Sequence, residues 1–200
     1  MHRTHRTSLP QIRAALEARS ALPVEPGSEP QAAVATILRP ASDPSESEVL
    51  LIRRAVHERD PWSGHMAFPG GRRDPGDASL LATAVRETEE ELDLKLLERG
   101  QVLGQLDSIP AMAKGRPVGL SITPFVFELY ETPRLSPNHE VAEAIWAPLG
   151  PLITGARATT TRYVYPGGAL ELPAFDVDGR VVWGLTYQML QRLFELLRAP

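Results

Sequence analysis

Apolar residues in this chain fall into short runs separated by proline, glycine and acidic residues. Runs of leucine and β-branched residues of this length are typical of buried strands. The first two runs lie on either side of the turn-forming segment ASDPSE, which predicts a strand, a loop and a second strand. We expect strands at residues 32–40 and 47–55, within 100–109 and 121–131, and near 143–149 and 162–167.

Three other segments have the spacing of amphipathic helices. They are residues 8–20, residues 79–92, and the end of the chain after a turn at Asp178 and Gly179 and a short extended stretch. Residues 21–30 are proline-rich, as in a linker. Helices and strands therefore alternate irregularly instead of forming repeated βαβ units. This order favours an α/β fold with a mixed sheet between helices over a doubly wound parallel sheet.

Length and composition narrow the class of protein. With 200 residues, 42% of them hydrophobic and 23% charged, the chain is expected to form one globular domain. The absence of cysteine excludes disulfides and thiolate metal sites, and it fits a reducing cytoplasm. No apolar run reaches the roughly 20 residues that a membrane span needs. The segment MHRTHRTSLP lacks the apolar core of a secretory signal.

The net charge bears on the choice of partners. A formal charge of −4 gives no general attraction to nucleic acid or to anionic membranes, so we expect neither as a partner. A small polyanion would need metal ions or a local group of arginines to offset the repulsion.

The helix predicted at 79–92 carries a group of like charges. Glu87, Glu90 and Glu91 stand at positions i, i+3 and i+4 and so lie on one face. Like charges at this spacing destabilise an isolated helix by about 0.2–0.5 kcal/mol per pair. The group is therefore either a solvated outer face or a site that uses the charges. A separate stripe is expected to enter the core and consists of Leu81, Val85, Thr88 and Leu92.

The residues around this helix favour a binding site. Hard divalent cations prefer several oxygen ligands, and Mg²⁺ is typically held by carboxylates together with substrate phosphates. Arg86 stands four residues before Glu90 and can orient that carboxylate. Gly70 and Gly71 precede the helix and lack a Cβ atom, so the backbone there can approach an ion or a ligand closely. The sequence thus predicts a metal site between the glycine loop and the acidic helix face.

The stretch from Gly71 to Leu94 resembles the Nudix box, whose pattern is Gly, five residues, Glu, seven residues, then Arg-Glu-apolar-any-Glu-Glu-any-Gly-apolar. The second half is matched by Arg86, Glu87, Glu90, Glu91 and Leu94. Four positions depart from the pattern: Asp77 stands for the first Glu, eight residues separate it from Arg86, Thr88 takes the apolar position, and Asp93 replaces the closing Gly. The inserted residue and the aspartate resemble the coenzyme A pyrophosphatase branch of the Nudix family.

A second motif resembles the same branch. Its signature runs Leu-Leu, two residues, Arg-Ser/Ala, three residues, Arg, three residues, Gly, three residues, Phe-Pro-Gly-Gly. The matching positions are Leu50, Leu51, Arg54, Ala55, Arg59, Gly64 and Phe68 to Gly71, with four residues, DPWS, between Arg59 and Gly64. The late segment VVWGLTYQML is similar to the Trp-Gly-x-Thr helix start of this branch.

The resemblance implies one Nudix domain over residues 1–200, with 1–30 as an N-terminal helix and linker-like extension, folded as an α/β/α sandwich around a mixed sheet. It implies metal-dependent hydrolysis of coenzyme A or its derivatives to 3′,5′-ADP and a phosphopantetheine product, in the cytoplasm. By the family pattern, Mg²⁺ or Mn²⁺ is held by Glu87, Glu90, Glu91 and the Gly70 carbonyl, and Arg86 holds Glu90 in place. Members of the family are often dimers, so a homodimer is an open expectation.

Other roles have more than one candidate. Arg54, Arg59 and Gly71 are the predicted substrate contacts, and Arg72 and Arg73 belong to the same basic group. The general base is either Glu90 or one of the loop acids Asp107, Glu140 and Glu143. Two other enzyme classes are excluded, since the chain has neither the GxSxG elbow of a serine hydrolase nor the Lys-Ser/Thr ending of a P-loop.

Three alternatives to a coenzyme A hydrolase stay open at this point. The same chemistry could act on ADP-ribose, NADH or a nucleotide sugar. The chain could be a non-catalytic Nudix-fold module that binds a nucleotide. It could also be an interaction protein whose acidic helix binds no metal.

Overall fold

A computed structural model of the protein describes residues 7–19, 30–58, 62–113, 116–165 and 167–198. Within these ranges the helices are α1 (Leu9–Glu17), α2 (Leu80–Leu92), α3 (Leu96–Arg99), α4 (Leu149–Ile153) and α5 (Gly184–Arg198). The strands are β1 (Gln31–Pro40), β2 (Ser47–Arg54), β3 (Met66–Ala67), β4 (Gly70–Arg72), β5 (Gly100–Gln105), β6 (Ile109–Ala113), β7 (Arg116–Leu129), β8 (Val141–Pro148), β9 (Ala158–Tyr165), β10 (Gly168–Val177) and β11 (Arg180–Trp183). The predicted substrate contact Arg59 and the predicted linker, up to residue 29, lie outside the described residues.

Eight of the described strands form one mixed sheet with the strand order β3-β2-β1-β7-β5. Strand β4 also pairs with β1, β6 with β7, and β8 with β2. The central strands β1 and β7 are parallel, whereas β2 and β4 pair with β1 in the antiparallel direction. Strands β9, β10 and β11 form a separate antiparallel sheet. The predicted mixed sheet is confirmed.

The central sheet separates two apolar cores, because side chains along a strand alternate between its faces. Leu51 belongs to the core that includes buried residues of α1 and α5. Its neighbours Leu50 and Ile52 belong to the core that includes buried residues of α2. Helices therefore cover both faces of the sheet, which confirms the predicted α/β/α sandwich.

The alternation continues to the end of β2, where two consecutive arginines lie on opposite faces of the sheet. Arg54 lies on the α2 side, close enough to Glu91 for its charge to act on that carboxyl group. Arg53 lines a cavity together with Met66, a member of the opposite core. Strand β2 thus places one guanidinium group on each face of the sheet.

Most of the predicted elements are confirmed. Strands β1 and β2 and helix α2 begin and end within one residue of their predicted bounds. The hydrophobic pattern does not predict β10, because six of its ten residues are exposed and Pro173 interrupts it. In the described ranges, every helix is too short or too polar to cross a membrane.

Candidate active site

Helix α2 is fixed at both ends by its capping residues. The hydroxyl of Ser79 accepts a hydrogen bond from the Ala82 N–H at 3.1 Å and so caps the first turn. Asp93 ends the helix in the left-handed conformation, with φ at 54°, and its N–H donates to the Glu89 carbonyl at 2.8 Å. These caps determine which side chains of the last two turns face the glycine loop.

Gly70 joins the glycine loop to both the sheet and the helix. Its φ of +146° is a backbone conformation that residues with a side chain rarely adopt. A Cβ atom at this position would lie 2.3 Å from the carbonyl oxygen of Ala33 on β1. The Gly70 N–H donates to Glu91 Oε2 at 2.9 Å, and this buried bond ties the loop to the end of α2.

Gly71 makes room for a second carboxylate. A Cβ atom here would lie 2.5 Å from Glu87 Oε1, so the Glu87 side chain packs directly over the backbone of the loop. Glu87 and Glu91 are four residues apart on α2. Two acidic side chains of one helix face therefore rest against two consecutive glycines.

Arg86 connects the loop before α2 with the helix itself. Its Nε and Nη2 donate to the two carboxylate oxygens of Asp77, both at 3.0 Å. Nη1 donates to Glu90 Oε2 at 2.9 Å, and Nη2 also contacts Glu87 Oε1 at 3.0 Å and the Arg72 carbonyl at 3.1 Å. A planar guanidinium with several donors suits such a junction, because it binds carboxylates in a fixed orientation.

Burial dominates the electrostatics of Glu91. Only 3% of this residue is exposed, and burial raises its pKa to about 8, despite the hydrogen bond from Gly70 and the charge of Arg54. Burial also raises the pKa of Glu87, against the effect of Arg86. The negative charge of Glu140 raises both pKa values further, so this residue of the β7–β8 loop lies near the pair. The glycine loop therefore faces a concentration of carboxylates whose ionised forms need a cation.

The chemistry of these groups fits a hard divalent cation. Carboxylate and carbonyl oxygens are the ligands that Mg²⁺ and Mn²⁺ prefer, and a bound cation would offset the cost of ionising Glu91. Among the described residues, no three acidic or histidine side chains are grouped closely enough to form a complete cage. Glu87, Glu90, Glu91 and the Gly70 carbonyl thus stay a predicted ligand set.

Comparison with known proteins shows the family of the chain. A family model described as the NUDIX domain matches residues 29–166. The chain belongs to the Nudix hydrolase family. A Nudix hydrolase, NudL, of Yersinia enterocolitica is 31% identical over 162 residues, which cover 80% of this chain and 78% of that protein.

Two further relatives extend the comparison. An uncharacterised protein of Schizosaccharomyces pombe is 42% identical over 108 residues, but these cover 52% of this Nudix chain and only 33% of the yeast protein. The crystal structure of RenU, a Nudix hydrolase from M. smegmatis, has a TM-score of 0.55 and 20% identity and covers 83% of this chain and 84% of its own. The latter similarity supports the fold.

The acidic face of α2 in this Nudix hydrolase differs from the helical-wheel expectation. Leu81 and Val85 are only partly buried, whereas Glu91 is almost completely buried. Glu90 lies outside, with 55% of its side chain exposed and paired with Arg86. The expected pairing of Arg86 with Glu90 is therefore present, but the three glutamates do not share one solvated face.

The loop acids named as alternative bases lie in different surroundings. Glu143 lies on strand β8 and not in a loop as expected, and it pairs with Arg180 and lies 3.5 Å from Arg53. Asp107 pairs with Arg19. Glu140 is the member of this set whose charge acts on Glu87 and Glu91. The structure thus brings Glu140, but not Asp107 or Glu143, into the electrostatic surroundings of the glycine loop.

The arginines of the predicted basic group and the inserted loop lie in different places. Arg54 lies near Glu91, and Arg72 offers its backbone carbonyl to Arg86. Arg73 donates hydrogen bonds to the Gln31 side chain and to the Asp77 carbonyl, and these contacts hold the glycine loop in place. Trp62 donates from Nε1 to the Met112 carbonyl at 3.2 Å and packs against the core, so it anchors its loop.

Asp77 is the residue whose importance the sequence pattern understates. Its side chain accepts hydrogen bonds from Arg86, from the Asp74 N–H at 2.9 Å and from the Thr83 hydroxyl at 2.8 Å. The paired hydrogen bonds from Arg86 hold the pKa of this carboxyl group well below its usual range. Comparison with the box pattern identifies Asp77 only as a departure from the usual glutamate. Its hydrogen bonds with Arg86 depend on how the loop before α2 folds back onto the helix.

We expect Asp77→Asn to destabilise the protein by about 2 kcal/mol at pH 7, because it removes a charged partner of Arg86. The folded-state pKa of Asp77 is lowered relative to an unfolded value of about 3.9. Its contribution is therefore fully present above that value and is lost as the pH falls through the folded pKa. Urea unfolding at pH 7 and pH 3 should show the difference between wild type and variant shrinking in acid.

The matched control for this prediction is Asp74→Asn. Asp74 has 68% of its side chain exposed and lies 4.0 Å from Arg86, so its loss is expected to cost less than about 0.5 kcal/mol. An Asp77→Asn difference that is equally large at both pH values would contradict the role assigned to this ion pair.

Proposed function

We propose that this Nudix hydrolase cleaves the diphosphate of coenzyme A or its derivatives and releases 3′,5′-ADP and a phosphopantetheine product. The observation that carries the proposal is the meeting of Glu87, Glu91 and the Arg54 charge at the glycine loop. A diphosphate resists attack by water because its oxygens are negatively charged, so a catalyst must neutralise that charge and position the water. Carboxylates that hold cations, next to a guanidinium, supply both functions.

Glu87, Glu90, Glu91 and the Gly70 carbonyl would hold the metal, which we propose to be Mg²⁺ or Mn²⁺. When bound, such a cation polarises phosphoryl oxygens and lowers the pKa of coordinated water. The role of Arg86 is to keep the carboxylates of Glu87 and Glu90 oriented through its hydrogen bonds.

The remaining roles follow from charge and access. Arg54 offsets negative charge on the substrate diphosphate, and Gly71 lets a phosphate oxygen approach the backbone. A carboxylate oxygen of Glu90 or of Glu140 accepts the proton of the attacking water. Glu140 is supported by its electrostatic interaction with Glu87 and Glu91, and Glu90 by its position on the acidic helix. The proposed substrate contact Arg59 rests on the sequence motif alone.

The choice of coenzyme A over other diphosphates rests on the motif from Leu50 to Gly71, in which Arg54 is one of the matching residues. ADP-ribose, NADH and nucleotide sugars contain the same scissile bond, but coenzyme A adds a 3′-phosphate that a guanidinium can bind. We also propose a cytoplasmic enzyme, in keeping with the cysteine-free sequence. The homodimer stays a prediction that light scattering can test.

The test is a substrate panel with purified protein and Mg²⁺ or Mn²⁺ at alkaline pH, with products separated by anion-exchange chromatography. We expect kcat/KM for coenzyme A to exceed that for dephospho-coenzyme A by roughly 10-fold or more, since a charged hydrogen bond contributes about 1.5–3 kcal/mol. Chelation of the metal is expected to abolish turnover of every substrate.

Two outcomes would count against the proposal in different ways. Rapid cleavage of ADP-ribose or NADH with no cleavage of coenzyme A would reject the substrate and keep the chemistry. Nucleotide binding without any metal-dependent hydrolysis across the panel would instead favour a non-catalytic module.

A further inference from the structure

The cavity lined by Arg53 and Met66 lies on the face of β2 opposite to the glutamates of α2. Its volume is about 270 Å³. Arg53 enters it from β2, next in sequence to Arg54, which serves the other face. The residues that line the cavity are Arg53, Gly64, His65, Met66, Gly179, Arg180, Val181 and Trp183. The sheet therefore separates this cavity from the proposed catalytic carboxylates.

Aromatic rings form one wall of this cavity and continue beyond it. The His65 and Trp183 rings, both of which line it, have centroids 4.8 Å apart. The Trp183 ring lies 5.5 Å from the ring of Tyr163, which in turn stacks on Tyr165 at 6.3 Å with an interplanar angle of 12°. The His65 and Trp183 planes are tilted by 56°, so a flat base can stack on one of these rings and contact the edge of the other. Stacking on an aromatic side chain tolerates different bases.

The opposite side of the cavity is cationic. Arg53 and Arg180 both contact Glu143, and Asp178, whose charge also acts on Arg180, pairs with Arg157 at 3.1 Å. One positive charge is therefore in excess among these five side chains. Nη1 of Arg180 donates to the Asp178 carbonyl at 3.0 Å. Nε of Arg180 is buried and has no hydrogen-bond partner among the described residues. A buried donor without a partner is costly, so it is expected to meet an acceptor supplied by water or by a ligand.

The dimensions of the cavity limit what it can hold. Binding sites for small organic molecules typically have volumes of about 300–1,000 Å³, so a cavity of about 270 Å³ is at the small end and suits a mononucleotide, not a whole dinucleotide. Gly64 and Gly179 lie at its border in left-handed conformations, with φ of +74° and +82°. Because glycine has no side chain, the backbone leaves this border open.

We propose that this cavity binds a nucleoside monophosphate, with its base against Trp183 and His65 and its phosphate on Arg53 and Arg180. The aromatic wall, the excess positive charge and the unpartnered Nε of Arg180 each match one part of such a ligand. The site goes beyond the proposed hydrolysis, because it lies on the other face of the sheet and needs no metal.

The experiment is calorimetric titration of the whole chain in EDTA with 5′-AMP, adenosine and inorganic phosphate. AMP contains no diphosphate bond, and EDTA removes divalent cations, so the result does not depend on the proposed chemistry. We expect AMP to bind with a stoichiometry of one, and adenosine and phosphate each to bind at least roughly 10-fold more weakly. Equal binding of adenosine and AMP would overturn the cationic role, and equal binding of phosphate and AMP would overturn the stacking role.

The neighbouring arginines of β2 provide a matched pair of variants. Arg53→Gln is expected to weaken AMP binding by roughly 10-fold or more, whereas Arg54→Gln, on the opposite face, is expected to change it less than about twofold. Arg53→Lys keeps the charge and should lose less affinity than Arg53→Gln. The proposal is wrong if Arg54→Gln is the variant that weakens binding, or if neither variant does while both retain the wild-type circular dichroism spectrum.

Discussion

Replacing Glu91 with glutamine is expected to reduce metal-dependent hydrolysis by roughly 100-fold or more while the protein stays folded. The amide oxygen of glutamine can still accept the 2.9 Å hydrogen bond from the Gly70 N–H. An uncharged side chain also suits the position, because burial opposes ionisation of the carboxyl group there. The variant therefore removes the negative charge that the proposed cation needs and leaves the packing in place.

The measurement combines kcat/KM with a thermal unfolding scan in the presence and absence of Mg²⁺. Wild type should gain thermal stability from the cation by mass action, and Glu91→Gln should gain little. Glu89→Gln is the matched control, because Glu89 is an exposed acid of the same helix. We expect its turnover to stay within about twofold of wild type. Wild-type turnover in Glu91→Gln would show that chemistry takes place elsewhere.

Gly70→Ala is expected to destabilise the protein by about 3 kcal/mol or more. Its φ of +146° is unfavourable for alanine, and the new Cβ atom would lie 2.3 Å from the Ala33 carbonyl oxygen and 2.6 Å from the Val34 Cα atom. Both contacts are with backbone of the central strand β1, which cannot move aside as the end of a flexible side chain can. Relief of the clash would require β4 to shift away from β1.

Urea unfolding followed by circular dichroism measures this effect. Gly76→Ala serves as the control, because apart from its chain neighbours no described residue has a heavy atom within 4 Å of the Cβ position there. That variant is expected to be neutral or slightly stabilising, since alanine restricts the unfolded chain. A free energy of unfolding for Gly70→Ala within about 1 kcal/mol of wild type would show that the loop tolerates a side chain at this position.

The fold and the site are predicted best from sequence where the structure depends on residues within one short segment. Helix α2 is predicted to within one residue, because the spacing of its apolar residues is a local signal. The pairing of Arg86 with Glu90 follows from their i, i+4 spacing and is confirmed. The mixed sheet follows from the irregular order of helices and strands, which local patterns also reveal.

Features that depend on distant parts of the chain are not accessible in this way. Glu91 is buried, and its carboxylate accepts a hydrogen bond from the N–H of Gly70, 21 residues earlier. A helical wheel contains no information about that contact. The cavity on the other face brings Arg53 together with Trp183, which is 130 residues later and follows β10, a strand that the pattern does not predict. The spacing of apolar residues predicts neither how deeply a charged side chain is buried nor which distant residues line a cavity.

The hydrogen bonds of Arg86 also constrain how this protein can evolve. Its loop is one residue longer and its first acid one methylene shorter than the general box pattern, yet Asp77 still receives two hydrogen bonds from the guanidinium. We infer that the shorter side chain compensates for the extra residue, and we expect that reverting either one alone misplaces the carboxylate and that their mutational effects do not add. Lineages that carry this loop are thus expected to exchange both features together or to keep both.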